Sequence, residues 1–312
     1  MPLLTPSDDH PIASPTTPGA DDDVDRRHRP RLTRRHLLLG GVLGGFGAAS
    51  LTGVAAYDAR YVQPYAPRLE RLDLPLPAGH EDLAGLRLAF VTDTHIGPFI
   101  TPADLARATA LLAPERPDVV LLGGDYISET SRHASPAAEV LGELVRAAPL
   151  GGYAVLGNHD IYNRPRVVTA ALEDAGITVL RNASARIETA RGNLWLAGID
   201  DALLGYADPD AAFAGIPNGA ATLALWHEPD GAETSAARGA FAQLSGHSHG
   251  GQVRLPGIGA IAPPVGGRRF VMGLNHAAGM PIYTARGVGV YRPPIRFNCP
   301  PEVTLVTLVS RS

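Results

Sequence analysis

The chain has 312 residues and a formal net charge of −4 at pH 7. It contains 27 basic residues, all of them arginine, and 31 acidic residues. A hydrophobic content of 45% with 19% charged residues excludes wholesale disorder, because enough apolar surface is present to form a core. The lack of a basic excess disfavours a protein that binds nucleic-acid phosphates, and the single cysteine excludes an intrachain disulfide and a thiolate-rich metal site. Any bound metal must therefore be held by His, Asp, Glu and Asn, and 11 histidines are available.

The first 56 residues differ in composition from the rest. Residues 1–36 are predicted to form a disordered leader, which is rich in Pro, Asp, Thr and Arg and contains the twin arginine Arg34-Arg35. An uncharged, glycine-rich run over 37–56 follows. This arrangement resembles a twin-arginine (Tat) export signal and implies export by that machinery. As a helix of about 30 Å the run would cross a bilayer, so it is either a cleaved signal or a retained membrane anchor; a buried core helix is the remaining alternative.

Residues 57–312 are predicted to form one domain, because no linker-like stretch or internal repeat divides them. Its first element is a short alternating segment over 69–74, expected to be an edge strand. Further along, apolar runs alternate with helical patterns that begin at or near a proline. Strands are predicted over 86–92, 118–122, 153–156, 177–180, 194–199, 221–226, 241–245, 251–255, 281–285 and 302–309, and helices over 102–113, 136–147 and 165–175. Strands and helices alternate in the first part of this domain, and only strands are predicted in the later part. This order predicts a layered α/β sandwich rather than a barrel.

Five of the apolar runs end in side chains that commonly bind metals. These side chains are Asp93 and His95, Asp125, Asn158 and His159, His227, and His247 and His249. Sites in open α/β sheets form outside the carboxyl ends of strands, so we expect these residues to meet. The i,i+2 spacing within the first and last pairs would direct both side chains the same way in extended backbone. One histidine after a strand is usually an ordinary loop residue, but clustering many such groups without a cation is unfavourable.

The number of candidate ligands indicates the chemistry. Seven N and O ligands drawn from these eight side chains exceed the needs of one ion when water and substrate must also bind, and they suit two ions that share a carboxylate. Two ions about 3.5–4 Å apart stabilise an in-line displacement at phosphorus. The sequence therefore predicts phosphoester hydrolysis, while the identity of the metal stays open.

Five motifs between residues 93 and 249 resemble, in order, the signature of the calcineurin-like metallophosphoesterases. They are Asp93-x-His95, Gly124-Asp125, Gly157-Asn158-His159-Asp160, His227 and Gly246-His247-Ser248-His249. Flanking sequence, including the tail from Arg296 to Glu302, resembles the exported or membrane-associated bacterial phosphodiesterase branch. The resemblance implies a four-layer αββα sandwich with two central mixed sheets.

The same resemblance implies a role for each candidate residue and two divalent ions, Mn, Zn or Fe. It assigns one ion to Asp93, His95 and His249 and the other to Asn158, His227 and His247, with Asp125 bridging both. A hydroxide held between the ions would attack phosphorus. His159 is not a ligand in this assignment, and would stabilise or protonate the leaving group.

The chain departs from many relatives at Ser128. Those relatives, including the protein Ser/Thr phosphatases, carry there an Asp that orients the catalytic His. Glu129 and Asp160 are the alternatives that the sequence offers for this task. The missing Asp-Arg-Gly continuation, and Asp160 where those phosphatases carry Glu, argue against a protein phosphatase.

Several other polar residues have simpler interpretations. Asp200 and Asp201 end a predicted strand and are either partners of a ligand His or loop caps. Arg296 and the pair Arg268-Arg269 are expected on the surface rather than as phosphate clamps. Surface or loop positions are also expected for three histidines outside the motifs, namely His80, His133 and His276.

The leading hypothesis is an exported dinuclear-metal phosphoesterase at the cell envelope. Its substrate would be a lipid headgroup, a nucleotide-sugar lipid or a wall polymer. One alternative is a catalytically inactive scaffold of the same fold, which the presence of all seven candidate ligands disfavours. A metal-dependent nuclease is a further alternative, but the pI of about 6.2 and the lack of a basic stripe argue against a nucleic-acid partner.

Overall fold

The computed structural model describes residues 52–311. The predicted leader over 1–36, with Arg34 and Arg35, lies outside the described residues, as do residues 37–51 of the predicted signal or anchor. Within 52–311, no helix combines the length and the apolar character needed to cross a membrane.

The described residues form two six-stranded mixed sheets and a small separate hairpin. The strands are β1 (Arg68–Pro75), β2 (Arg87–Val91), β3 (Val119–Leu122), β4 (Gly152–Ala154), β5 (Thr178–Val179), β6 (Ala183–Thr189), β7 (Gly192–Ile199), β8 (Thr222–Trp226), β9 (Ala242–Ser245), β10 (Arg254–Leu255), β11 (Gly259–Ala260), β12 (Gly273–Ala277), β13 (Met280–Thr284) and β14 (Glu302–Val309). The first sheet has the order β1-β14-β2-β3-β4-β5, and the second has the order β12-β13-β9-β8-β7-β6. In the first sheet β2 to β5 are parallel, and in the second β7, β8, β9 and β13 are parallel.

Helices cover the outer faces of the sheets. They are α1 (Pro102–Thr109), α2 (Ala134–Arg146), α3 (Asn158–Tyr162), α4 (Pro165–Asp174), α5 (Pro209–Phe213) and α6 (Ala232–Ala237), and a further helical segment over 52–65 precedes β1. The start of α1 is fixed by a capping box, in which Thr101 and Asp104 each accept a hydrogen bond from the other's backbone N–H. Proline occupies the first position of both α1 and α4, as the sequence indicates.

Three apolar clusters divide the molecule into layers. One packs α1, α2 and α4 against the first sheet, a second lies between the two sheets, and a third packs α5 and α6 against the second sheet. Alternate residues of β2 contribute to different clusters: Leu88 and Phe90 lie between the sheets, whereas Ala89 and Val91 face the helices. A strand buried on both faces reads as a continuous apolar run. The predicted αββα sandwich is confirmed.

Some predicted elements end elsewhere or were missed. Helix α1 ends at Thr109 rather than at residue 113, and a 3₁₀ turn follows at Ala113–Glu115. The strand predicted over 251–255 is wrong in its first part, because His249–Gly251 forms a 3₁₀ turn and only Arg254–Leu255 is extended. Strands β6 and β12 have no counterpart in the prediction. Both are edge strands with several exposed or half-buried residues, and their apolar pattern is correspondingly weak.

Candidate metal centre

The structure brings all eight predicted site residues together at one end of the two sheets. Asp93 and His95 follow β2, Asp125 follows β3, Asn158 and His159 begin α3 after β4, His227 follows β8, and His247 and His249 follow β9. The seven candidate ligands are buried and His159 is half-buried. Because the loops come from both sheets, the cluster lies where the sheets face each other.

One group of candidate ligands consists of Asp93, His95 and His249. A ligand atom from each lies within 4.8 Å of the other two. His249 Nε2 lies 3.3 Å from Asp93 Oδ1 and 2.9 Å from His95 Nε2. These side chains are close enough to share one cation.

A second group consists of Asp125, His227 and His247, again within 4.8 Å, with Asn158 beside it. Asp125 Oδ2 lies 3.2 Å from His227 Nε2, and His247 Nδ1 lies 3.0 Å from Asn158 Oδ1. The same Asp125 oxygen is 3.5 Å from His95 Nε2 in the first group. Asp125 therefore stands between the two groups, where a bridging carboxylate would be.

Most of the candidate ligands have an unusual backbone conformation. Asp93, His95, Asp125, His247 and His249 all have φ between 46° and 67°, in the left-handed region that residues other than glycine rarely adopt. The extended backbone expected at the two i,i+2 pairs is therefore wrong, and the side chains converge from tight turns instead. The turns are held in place by main-chain hydrogen bonds, since the Asp93 and His95 N–H groups donate to the carbonyls of Gly124 and Asp125.

Glycine is required where these turns meet. A Cβ atom at Gly246 would overlap the Asp93 carboxylate, and one at Gly157 would overlap the Asp125 carboxylate. Glycine at these two positions therefore allows the backbone to approach the carboxylates closely.

The hydrogen bonds of the histidine rings leave nitrogen lone pairs directed into the cluster. His227 Nδ1 donates to the Gly123 carbonyl at 2.7 Å, and His247 Nε2 donates to the Val265 carbonyl at 2.8 Å. His227 Nε2 is buried and faces the Asp125 carboxylate at 3.2 Å. A ring nitrogen fixed in this way is typical of a metal ligand. The donor set of imidazole nitrogens, carboxylates and an amide oxygen therefore fits divalent metal ions.

The surroundings of the rings also favour metal binding. Burial lowers the pKa of His95 to about 3 and that of His247 to about 4, and it holds the pKa of His249 well below its usual range. These rings are therefore neutral near pH 7, as coordination requires. Burial raises the pKa of Asp93 to about 6.

His227 and Asp125 behave as a pair. Burial disfavours the charged form of each, but their mutual attraction outweighs it, so the pKa of His227 is raised well above and that of Asp125 is held well below its usual value. A cation bound between them would take the place of the proton on His227 Nε2.

His159 is oriented by a main-chain group rather than by a carboxylate. Its Nδ1 lies 3.0 Å from the Ser128 carbonyl oxygen, and its backbone N–H donates to Asp125 Oδ1. Within the described part of the chain, neither Glu129 nor Asp160 hydrogen-bonds His159. No side-chain pattern in the sequence marks a carbonyl acceptor, so this contact was missed.

Asp160 stabilises the backbone near the site instead of orienting His159. Its buried carboxylate accepts the backbone N–H groups of Asp125, Tyr126 and Gly157 at 2.8 to 3.0 Å. It therefore ties the turn after β3 to the start of α3. Burial raises its pKa to about 8. Glu129 instead forms an ion pair with Arg292.

The other polar residues considered as candidates in the sequence are not among the candidate ligands. Asp200 pairs with Arg181, and Asp201 Oδ1 accepts the Leu204 N–H, so Asp201 caps a loop and neither residue hydrogen-bonds a ligand histidine. Arg268 and Arg269 are exposed as expected. The surface position expected for Arg296 is wrong, because its side chain is fully buried and bonded to main-chain carbonyls. His80, His133 and His276 lie outside the cluster.

Tyr291 is a site residue that the sequence did not indicate. Its ring centroid lies 4.4 Å from that of His159 and 5.7 Å from that of His95. It lines a cavity of about 500 Å³ that also contains Asp125, Asn158 and His247. This size is ordinary for a small-molecule site.

The chain is similar to known proteins. Residues 86–250 match the family model described as calcineurin-like phosphoesterase. An uncharacterized metallophosphoesterase of Bacillus subtilis, YkuE, is 31% identical over 285 residues, which cover 90% of this chain and 99% of that one. The phosphodiesterase YaeI of Escherichia coli is 37% identical over 238 residues, covering 73% and 84%. An uncharacterized metallophosphoesterase of Aquifex aeolicus is 29% identical over 257 residues, covering 80% and 94%.

Proposed function

Since this chain belongs to the calcineurin-like phosphoesterase family, whose members are metal-dependent phosphoester hydrolases, we propose that its buried cluster holds two divalent ions and hydrolyses a phosphoester. One observation carries this proposal. Asp125 Oδ2 lies 3.5 Å from His95 Nε2 and 3.2 Å from His227 Nε2, so a single carboxylate oxygen faces a ligand of each group.

Each ion has its own set of side chains. Asp93, His95 and His249 would hold one ion, Asn158, His227 and His247 would hold the other, and Asp125 would be available to both. Mn, Zn and Fe are all compatible with these N and O ligands. When bound, two such ions supply Lewis acidity and make hydroxide available near neutral pH.

The chain's own residues supply the rest of the chemistry. His159 Nδ1 donates to the Ser128 carbonyl, so Nε2 is the nitrogen that can act on the substrate. We assign to it the stabilisation or protonation of the leaving oxygen. The ring of Tyr291 packs against His159 and limits the positions that the imidazole can take.

The test is hydrolysis of bis-p-nitrophenyl phosphate and p-nitrophenyl phosphate by chelator-stripped protein supplied with Mn²⁺, Zn²⁺ or Fe²⁺. Turnover should return with at least one ion, and Asp125→Asn should abolish it because both ions lose a ligand. Asp73→Asn is the matched control, since Asp73 is exposed on the edge strand β1, in register with the start of β2 rather than with the end that Asp93 follows. No turnover with any ion would overturn the proposal.

His159→Ala separates catalysis from metal binding. Turnover should fall by about 10²–10⁴-fold, the usual contribution of a general acid or base. Metal content, measured by elemental analysis, should stay at the wild-type level. Loss of metal from this variant would mean that His159 is a ligand.

Export to the cell envelope is part of the proposal. Arg34-Arg35 and the uncharged run over 37–56 support it, and the run would serve as a cleaved signal or as an anchor. The substrate would then be an envelope phosphoester, either lipid-linked, nucleotide-sugar-linked or part of a wall polymer. Changing both arginines to lysine should leave the protein in the cytosol, as cell fractionation would show; unchanged export would contradict this part.

A further inference from the structure

The cavity at the metal centre has two chemically different halves. One half is lined by His159 and by four of the candidate ligands, namely Asp125, Asn158, His247 and His249. The other half is lined by aliphatic side chains and prolines. They are Val253, Ile261, Ala262, Pro264, Pro293 and Ile295. A phosphate at the metal ions therefore has an apolar wall beside it, on which an esterifying group can lie.

Three polar side chains that line the cavity beside this wall, Ser248, Gln252 and Arg292, are already engaged in hydrogen bonds or an ion pair within the protein. Gln252 Nε2 donates to the carbonyls of Tyr291 and Pro293, and its Oε1 accepts the Tyr291 N–H. Ser248 Oγ donates to the Val271 carbonyl. The guanidinium of Arg292 is paired with Glu129 at 2.7 Å.

Because these polar groups are already bonded within the protein, they limit the class of substrate that the cavity can bind. A sugar or polyol that enters a cavity must exchange its bonds to water for bonds to the protein, and unpaired hydroxyls are unfavourable there. Among the described wall residues, Tyr291 is the polar side chain whose hydroxyl has no bond within the protein. The wall therefore suits a group with few hydroxyls.

The apolar surface continues outside the cavity. Residues 255–265, which include the β10–β11 turn, contain no charged residue. Ile258 is 73% exposed, Val265 58% and Ile261 55%. Exposed aliphatic side chains on a segment that also lines a site are typical of a surface that binds an apolar ligand. Ile261 belongs to both the rim and the wall, so the two are continuous.

We propose that the apolar half binds the alkyl part of the substrate, and that the substrate is a phosphodiester of a long-chain or otherwise lipid-like alcohol. This inference rests on the proposed function, and it selects the lipid-linked class among the three substrates considered there. Hydrolysis consumes one water: a new P–O bond forms to its oxygen, the P–O bond to the leaving alcohol breaks, and that alcohol leaves with a proton.

The experiment uses metal-loaded enzyme and p-nitrophenyl alkyl phosphodiesters whose chain grows from methyl to octyl, each below its aggregation concentration. The value of kcat/KM should rise by about fourfold per methylene over the first few additions, because each buried CH₂ contributes about 0.8 kcal/mol. The glycerol diester should be a poorer substrate than the propyl diester.

Substitution of the wall tests the same point. Ile261→Asn should flatten the dependence of kcat/KM on chain length. The matched control is Leu274→Asn, since Leu274 is 45% exposed on β12 and lies outside the cavity, and it should keep the wild-type slope. If Ile261→Asn does not fold, the wild-type series alone decides.

The outcomes separate the two proposals. No hydrolysis of any diester in the series, of bis-p-nitrophenyl phosphate or of p-nitrophenyl phosphate with any ion would contradict the proposed function itself. Hydrolysis of p-nitrophenyl phosphate alone would overturn only the phosphodiester substrate proposed here. Hydrolysis of the methyl diester, with kcat/KM flat or falling as the chain grows, would overturn only the apolar subsite. A preference for the glycerol diester over the propyl diester would overturn it as well.

Discussion

At the scale of single residues, Ser128 and His159 show how a main-chain atom serves where a side chain is expected. His159 Nδ1 lies 3.0 Å from the Ser128 carbonyl oxygen, while the Ser128 hydroxyl donates to the His95 carbonyl at 3.0 Å. A carbonyl oxygen only accepts, so it fixes the ring with the proton on Nδ1. The identity of the side chain at residue 128 is therefore separate from the orientation of His159.

Ser128→Ala should consequently retain activity. The substitution removes the hydrogen bond to the His95 carbonyl and a longer one, at 3.4 Å, with His95 Nδ1. Each has a net value of about 1 kcal/mol or less, and the carbonyl at residue 128 stays in place. We expect kcat for bis-p-nitrophenyl phosphate to fall by less than about tenfold. A loss as large as that of His159→Ala would show that the hydroxyl, and not the carbonyl, orients the ring.

At the scale of elements, the segment from Arg286 to Cys299 is fixed beneath the candidate metal centre by the buried guanidinium of Arg296. Arg296 donates to the carbonyls of Arg286, Gly287, Gly289 and Cys299. The same segment contacts the turn after β2, because the Gly289 N–H donates to the Asp93 carbonyl. Arg296 thus holds the backbone on which the Asp93 turn rests.

Replacing Arg296 with an uncharged residue should destabilise the protein. Arg296→Met keeps an unbranched, apolar chain but removes the donors to these carbonyls, and each buried polar group left without a partner costs about 1–3 kcal/mol. We expect a lower Tm in thermal denaturation and a fall of about 3 kcal/mol or more in the free energy of unfolding. Arg268→Met, at an exposed site, should change it by less than about 0.5 kcal/mol. Equal Tm values for the two variants would contradict the role of Arg296.

The elements that the sequence predicted are those with strong local signals. β2, β3 and β8 are buried and mainly apolar runs, and their ends place candidate ligands correctly. Helix α3 was missed because five residues are too few to show a helical period. The left-handed turns, the Ser128 carbonyl and the burial of Arg296 depend on contacts between distant main-chain atoms, which leave no pattern in the side chains.

At the scale of the whole molecule, the metal centre joins the two sheets. Its candidate ligands follow β2, β3 and β4 of the first sheet and β8 and β9 of the second. Their lone pairs face one another, and five of them have left-handed backbone, which is unfavourable without compensating contacts. Bound ions would therefore stabilise the packing of one sheet on the other.

Metal removal should lower thermal stability. An ion that binds only the folded state at one hundred times its dissociation constant adds about 2.7 kcal/mol. Chelation should thus lower Tm, and reloading with Mn²⁺ or Zn²⁺ should restore it. Asp125→Asn should show a smaller difference between the stripped and loaded forms. Identical melting curves with and without metal would contradict a role of the ions in stability.

The position of β14 affects the order in which the protein can be made. β14 lies between β1 and β2, and it is the strand that joins β1 to the first sheet. During translation both neighbours leave the ribosome long before β14 does, so the nascent chain exposes two open strand edges until residue 309 has emerged. A premature stop codon upstream of residue 302 would leave those edges permanently available for aggregation.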